Sequence, residues 1–490
     1  MNDKKAAANL KKEQQAGDDI RRIVQGPLSK GVFKLGFPLS IAMLLQSTFN
    51  LIDMVIVGQL PVHATEAIAA LGICDLIAMI PTILGNGISN ASAAIIARRA
   101  GEGDTRAASF FTWQSVSLTL ALSIFFGFIG AVFADDIVHG GFGAQGVLRQ
   151  LTAEYMAVIM GGGFSILLLL QICAILRSLG DGKTPLVLLI GSNVLNLFAA
   201  VIMVFGNGPA PEALSWATPI ADALGIQPMG VVGAAWATLG ARTIALLIGF
   251  FALARKRGVI KLNLADFAPK KRGWLPLLNI AWPNSAQFLL RIAVIEFYHI
   301  LIVRLFTSTT DATTATAYAI CVRLETLVLF ISMGWGAAAS TYVGQNLGAG
   351  DTRRAVHSGW LATGYNTIFV LLAQLLFLFG AEPLIGLFSD SPHVLAVGID
   401  YLRIVGASYL LFGVAIVLSQ ALTGAGATML GFALDLVVLL GIAIPATFIV
   451  MATTQLTETV TWILIACGNG LTGLVYMVWY RRGGWLAKQV

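Results

Sequence analysis

Residues 100–108 read AGEGDTRAA, and residues 347–355 read LGAGDTRRA. They lie 247 positions apart. The same offset pairs Ile73-Cys74 with Ile320-Cys321, Gly87 with Gly334 and Trp113 with Trp360. A weaker echo joins LRSLG at 176–180 to LTGAG at 422–426. Agreement at one offset all the way from residue 73 to residue 113 marks an internal duplication. Whatever architecture one half has, the other half repeats it.

The composition says what the halves are made of. Of 490 residues, 57% are hydrophobic and 11% charged, with a mean hydropathy of +0.81. A soluble domain carries about 25% charged residues. So little charge cannot cover a water-facing surface, which excludes a secreted or cytosolic enzyme and a disordered scaffold. Twelve apolar segments are each long enough to cross about 30 Å of hydrocarbon as a helix: 32–58, 67–97, 108–134, 150–177, 185–206, 229–254, 276–306, 314–344, 355–380, 394–423, 428–452 and 457–480. They lack the period-2 alternation of a closed barrel, so the expected fold is an all-α integral membrane protein. The duplicated unit holds six spans, an even number, so both halves enter from the same side. The sequence thus predicts two six-helix lobes related by a pseudo-two-fold axis along the membrane normal. This is a common plan of secondary transporters, with the substrate site near the midplane. The expected organisation is a tail at 1–30, lobes at 31–254 and 276–481 with a linker at 255–275, and a tail at 482–490.

Charge placement orients the chain. The first 26 residues lack a signal peptide's apolar region. Of 31 Lys and Arg, 25 fall in the two tails and the even-numbered loops, and only Arg149 falls in the opposite loops. By the positive-inside rule both termini face the cytoplasm, in a plasma membrane that is most simply a bacterial inner membrane. The net charge of +6 is therefore a topology signal and not a nucleic-acid patch. Cys74, Cys173, Cys321 and Cys467 sit in apolar runs, unpaired in any C-x-x-C, and read as small buried hydrophobes. GDGKTP at 180–185 lacks the leading glycine of a phosphate loop. No H-E-x-x-H or G-x-S-x-G is present. The 207–228 loop is too short for a catalytic domain and reads as a lid or interfacial turn. An enzyme is not expected, nor a cofactor, a resident metal or a stable oligomer.

Charged groups inside spans are costly and usually have a partner or a role. Asp53 stands out. Gln46, Asn50 and Asp53, four and three apart, line one stripe of the first helix. A carboxylate in a poorly hydrated pocket can take up a proton on one side and release it on the other, or hold Na⁺ when ionised. Asn193 and Asn196 share a face of the fifth span, and Asp75 in the second is a further acid. The seventh span carries Arg291, Glu296, His299 and Arg304, with Glu296 and His299 on one face. Glu325 and Asp435 are candidate partners for Arg291. Arg304 and Arg403 lie toward outer ends, where they snorkel. Arg242, Arg291 and Arg323 are deeper, and if they line the cavity an anionic or zwitterionic substrate suits it better than a purely cationic drug.

The chain resembles the multidrug and toxic compound extrusion family of twelve-helix exporters over residues 30–480. The resemblance rests on PLSIAMLLQSTFNLIDMVIVG from residue 38, the G-x-G-D-x-R-x-A loop, LRSLGDGKTPLVLLIGSNVLN, GVVGAAWAT and RLETLVLFISMGWGAAASTYVGQNLGAGDTRRA. It implies export of a small organic substrate driven by inward Na⁺ or H⁺ flow, with rocking of two lobes. It also implies Asp53 as the first lobe's carboxylate and Pro38, fifteen residues earlier, as a bending point. Asn196 and Thr238 match family positions at the cation site. The family's next acid, four residues after Asn196, is Ala200 here. Where many members have a carboxylate eight residues after the seventh-span proline, this chain has Arg291, while Glu296 matches a second acidic position. The alternative is a flippase for lipid-linked saccharides within the same superfamily.

Overall fold

The duplicated stretches are two copies of one turn, and its chemistry explains why they persist. Gly103 and Gly350 both take positive φ, +76° and +80°, which glycine adopts without a Cβ penalty. The turn hydrogen bonds repeat as well. Asp104 N reaches Arg99 O at 3.0 Å, and Asp351 N reaches Asn346 O at 2.9 Å. Asp351 then caps the next helix by accepting from Arg354 N at 2.8 Å, satisfying one orphan donor of the helix start.

These observations come from a computed structural model, which describes residues 21, 23–256, 260, 263–308, 311–389 and 391–488, the side chains of residues 47–51 and 264 excepted. No strand occurs among the described residues. The long helices are α1 (Leu28–Val57), α2 (Ala64–Gly101), α3 (Thr105–Val132), α4 (Gly146–Gly161), α5 (Gly163–Ser178), α6 (Lys183–Phe205) and α7 (Gly230–Ala254). After the linker come α8 (Lys271–Phe306), α9 (Thr313–Gly348), α10 (Thr352–Phe379), α11 (Pro392–Ile404), α12 (Tyr409–Gly424), α13 (Thr428–Thr453) and α14 (Glu458–Arg482). Helices α4 and α5 form one span bent by 43°, and α11 with α12 form another, so twelve helical segments stand where the sequence places them. Ten, or eleven with the bent pair, are long and apolar enough to cross a membrane. The remaining one, α8, is long enough but carries Arg291, Glu296 and Arg304. Loop 207–228 folds into a 3-10 turn (Glu212–Ala217) and a short helix (Thr218–Leu224), with Trp216 edge-on to Phe198 at 5.5 Å.

Contacts divide the chain into two units. One comprises 45–92 and 105–277; the other takes in 21–44, 93–104 and 278–488. The division departs from lobes at 31–254 and 276–481, because the first half of α1 and the last turns of α2 go with the second unit. Small residues are the reason. A Cβ at Gly36 would lie 2.3 Å from the Trp335 ring, and one at Gly334 would lie 2.3 Å from Ser40 Cα. Ser40 Oγ donates to Ile331 O at 3.1 Å. A Cβ at Gly101 would stand 2.0 Å from Gln345 O, and one at Gly348 would stand 2.0 Å from Arg98 O. The 247-residue offset turns the first of these two contacts into the second. Such reciprocity is the mark of a two-fold contact, here between the ends of α2 and α9.

The paired tryptophans of the repeat, Trp113 and Trp360, each hold a chain segment. Trp113 meets Phe267 of the linker edge-on at 5.8 Å, and Trp360 meets Tyr480 at 5.5 Å. Next to Trp113, the Gln114 amide donates to Asp266 O at 2.5 Å and Ala268 O at 2.8 Å and accepts from Lys270 N at 3.0 Å. GDGKTP starts a helix: Asp181 accepts from Thr184 N at 3.0 Å and Thr184 Oγ1 at 2.8 Å, with Lys256 Nζ at 3.1 Å. Burial alone would push the Asp181 carboxyl up, but Lys256 and the Thr184 donors outweigh it and hold it below the usual range. Three cysteines are buried as expected, whereas Cys467 is exposed.

The reciprocal glycines give a direct check. Gly101→Ala and Gly348→Ala each force an atom into backbone, so each lowers stability by about 1–3 kcal/mol. Gly240→Ala, in a helix with nothing within 4 Å, leaves stability at or above wild type. Thermal unfolding followed by size-exclusion chromatography in detergent distinguishes the three. Equal midpoints would show that the close approach does not exist.

Candidate functional site

The first unit gathers one buried polar cluster from three helices. Asp53, four residues from the end of α1, is 3% exposed. Asn196 on α6 and Thr238 on α7 are buried beside it. Asn196 Nδ2 donates to Asp53 Oδ1 at 2.8 Å, and Thr238 Oγ1 lies 2.8 Å from Asp53 Oδ2. Thr238 Oγ1 also lies 3.1 Å from Asn196 Oδ1. The small residues of GVVGAAWAT let α7 approach α6 closely: a Cβ at Gly233 would lie 2.5 Å from Met203 O. Close helix approach through small residues is a general feature of membrane bundles.

The triangle has a property that follows from counting hydrogens. A threonine hydroxyl has one proton to donate and lone pairs to accept with. With Asp53 ionised, the Thr238 proton points at Oδ2. With Asp53 protonated, the carboxyl O–H donates to Thr238 Oγ1, whose own proton turns to Asn196 Oδ1. Every polar atom of the triangle keeps a partner except Asn196 Oδ1 in the ionised form. One hydroxyl rotation thus keeps both Asp53 oxygens hydrogen-bonded in either charge state.

Further along the same helices lie Asn193, Arg242 and Gln46. Asn193 Nδ2 donates to Leu45 O at 2.9 Å. With Gln46 and Ser192 these residues line a cavity of about 30 Å³, room for one or two waters by the usual volume requirement. Arg242 also acts electrostatically on Asp53. The Asn50 side chain lies outside the described residues. Asp75 is exposed on α2 and acts electrostatically on Arg242. Pro38 sits within α1, which continues through it. No group of three or more His, Cys, Asp or Glu that could hold a metal ion occurs among the described residues.

The second unit holds a different cluster. Arg291 on α8 pairs with Asp435 on α13, Nε to Oδ2 at 2.6 Å, and Asp435 is fully buried. Gln287, one turn before Arg291, places its amide nitrogen 2.9 Å from Asp435 Oδ2, 2.7 Å from Tyr476 Oη and 3.1 Å from Ser419 Oγ, three acceptors for two protons. Glu325 instead accepts from Tyr401 Oη at 3.0 Å. Glu296, exposed, and His299, half-buried, face each other at 3.7 Å, outside the Arg291 cluster. Arg304 and Arg403 are exposed, as snorkelling predicts, but so is Arg323, which was expected to lie deep. Sequence reasoning missed Gln287, Ser419 and Tyr476. Only the spacing of Gln287 four before Arg291 signalled any of them.

With this geometry in view, similarity is informative. The MatE family model matches residues 38–202 and 290–449. The chain belongs to the MatE family. Its members are transporters and not enzymes, and two curated relatives illustrate their range. A Shewanella oneidensis protein described as an FAD transporter is 24% identical over 404 residues, covering 82% of this chain and 84% of that one. A Thermotoga maritima protein described as a probable multidrug resistance protein NorM is 23% identical over 468 residues, 94% of each chain. A solved MATE structure in the straight conformation superposes with a TM-score of 0.81 at 22% identity, covering 94% of this chain and 97% of that one. A Pyrococcus furiosus transporter of the MOP superfamily, described as having a binding pocket of reversed polarity, superposes at 0.82 with 22% identity, covering 96% and 98%. The fold of two six-helix lobes is therefore that of the MATE transporters.

The triangle makes a testable demand. Thr238→Val leaves Asp53 Oδ2 without a donor and lowers stability by about 1–2 kcal/mol. Thr238→Ser keeps the hydroxyl and recovers most of the loss. Melting curves in detergent measure both, and a valine variant as stable as wild type would show that the hydroxyl does not hold the carboxylate.

Proposed function

We propose that the protein is a secondary active exporter of small organic compounds, driven by inward proton flow through Asp53. The observation that carries this is the triangle of Asp53, Asn196 and Thr238, which stays hydrogen-bonded in either charge state. A resident Na⁺ would need several oxygen ligands around the carboxylate. Both Asp53 oxygens already receive donors, and the position that would supply a second acid is Ala200. Proton coupling therefore suits these residues better than Na⁺ coupling.

Protonation is read out through α1. Proline lacks an N–H and removes one helix hydrogen bond, so Pro38 supplies a place where the helix bends when the charge on Asp53 changes. Related structures are described in both a straight and a bent conformation. Alternating access by the two lobes then exchanges a proton from outside for a substrate from inside, with both termini in the cytoplasm and the chain acting as a monomer in a bacterial inner membrane. The relatives' described roles, multidrug resistance and FAD transport, support a cargo among small organic molecules. The lipid-linked saccharide reading loses ground because the second unit's cavities set one arginine beside one glutamate and not a wide cationic surface.

Asp53→Asn removes the titrating group and keeps two oxygen or nitrogen positions for the same neighbours. In proteoliposomes with an imposed pH gradient and no Na⁺, it abolishes uptake of ethidium and of FAD alike, while the folded protein remains. A Na⁺ gradient alone drives neither compound in wild type. Undiminished gradient-driven transport by the variant would falsify the assignment.

A further inference from the structure

The second unit buries an ion pair that is only half used. Arg291 meets Asp435 through Nε alone, at 2.6 Å. Arg291 Nη2 and Asp435 Oδ1 are both buried and have no hydrogen-bond partner among the described residues. A guanidinium offers five donors in a planar fork matched to a carboxylate or phosphate, and a buried donor left unpaired is expensive. Two cavities of about 90 and 70 Å³ lie beside Arg291, and both are lined by Arg291, Ile295, Glu325 and Phe412. Gln420 and Met333 complete the larger one.

We propose that these cavities form a substrate subsite for an organic amphiphile bearing an anionic group, with Arg291 as its anchor. Asp435, itself held by Gln287, fixes Arg291 through Nε, and the part of Arg291 that lines the cavities receives the ligand's carboxylate or phosphate. Apolar walls from Ile295, Phe412 and Met333 take the ligand's body. Glu325 faces the same space, so the site presents one cation and one carboxylate and fits ligands that carry an amine as well. This deepens the exporter reading and rests on it for the meaning of binding, but the binding itself is independent of Asp53.

Two fluorescent probes differ by the group in question: Nε-dansyl-lysine carries an α-carboxylate, and dansylcadaverine is the same molecule without it. Titrated into purified wild-type protein in detergent, with no ion gradient, Nε-dansyl-lysine binds at least tenfold more tightly. Arg291→Gln alone strands Asp435, so the informative variant is Arg291→Gln with Asp435→Asn, which removes both charges and keeps the shape. It binds the two probes equally. Asp53→Asn retains the wild-type preference, so loss of driven transport and loss of carboxylate recognition are separable failures. Equal affinity of wild type for the two probes, no saturable binding of Nε-dansyl-lysine, or a preference that survives in the double variant would each overturn the proposal. If the double variant does not fold, the comparison of the two probes on wild type still decides.

Discussion

A carboxylate at membrane depth tolerates its position only if its oxygens are met by donors, and Asp53 is met by two from different helices. That requirement ties α1, α6 and α7 together near one end of the first unit. The small residues along α7 follow from it, because Thr238 and Asn196 must approach the same side chain. On the proposed reading Pro38 matters for the same reason: a change in the charge that these donors serve would change how firmly the end of α1 is held. The transport reading depends on the carboxylate having two satisfiable states, not merely on its being buried.

The duplication supplies scaffold and not chemistry. The GDTR turns, their positive-φ glycines and the reciprocal contact of Gly101 and Gly348 repeat faithfully. The charged groups do not. At the same offset, Asp53 corresponds to Ile300, Asn196 to Ala443, and Arg291 to Leu44. One unit holds a carboxylate whose neighbours accept either protonation state, and the other holds a fixed ion pair beside a cavity. On the proposed reading, a symmetric frame with asymmetric polar sites would let one half answer to the driving ion and the other to the cargo.

Much of this was legible in the residues themselves. The twelve segments follow from apolar length, and the two halves follow from the repeat. Asp53, Asn196 and Thr238 were nameable because the resemblance marked them, and they do converge. What the sequence could not supply was partnership across long separations. Arg291 and Asp435 lie 144 residues apart, and nothing local distinguishes Asp435 from Glu325 as the partner. Burial within a lipid-facing chain was equally hidden. An apolar neighbourhood surrounds Cys467 and Arg323 in sequence, yet both are exposed, since a helix face turned to lipid is as apolar as one turned inward. The unit boundary was invisible for a related reason: single glycines at positions 36, 101, 334 and 348, each open to several explanations, decide which helices come closest.

Infrared difference spectroscopy of the purified protein across a pH titration tests the central claim most directly, because a protonated carboxyl has a carbonyl band of its own. The account predicts a titrating carboxyl band in wild type that is missing from Asp53→Asn and shifted in Thr238→Val, where the hydroxyl partner is gone. A carboxyl spectrum that Asp53→Asn leaves unchanged at every pH would contradict it.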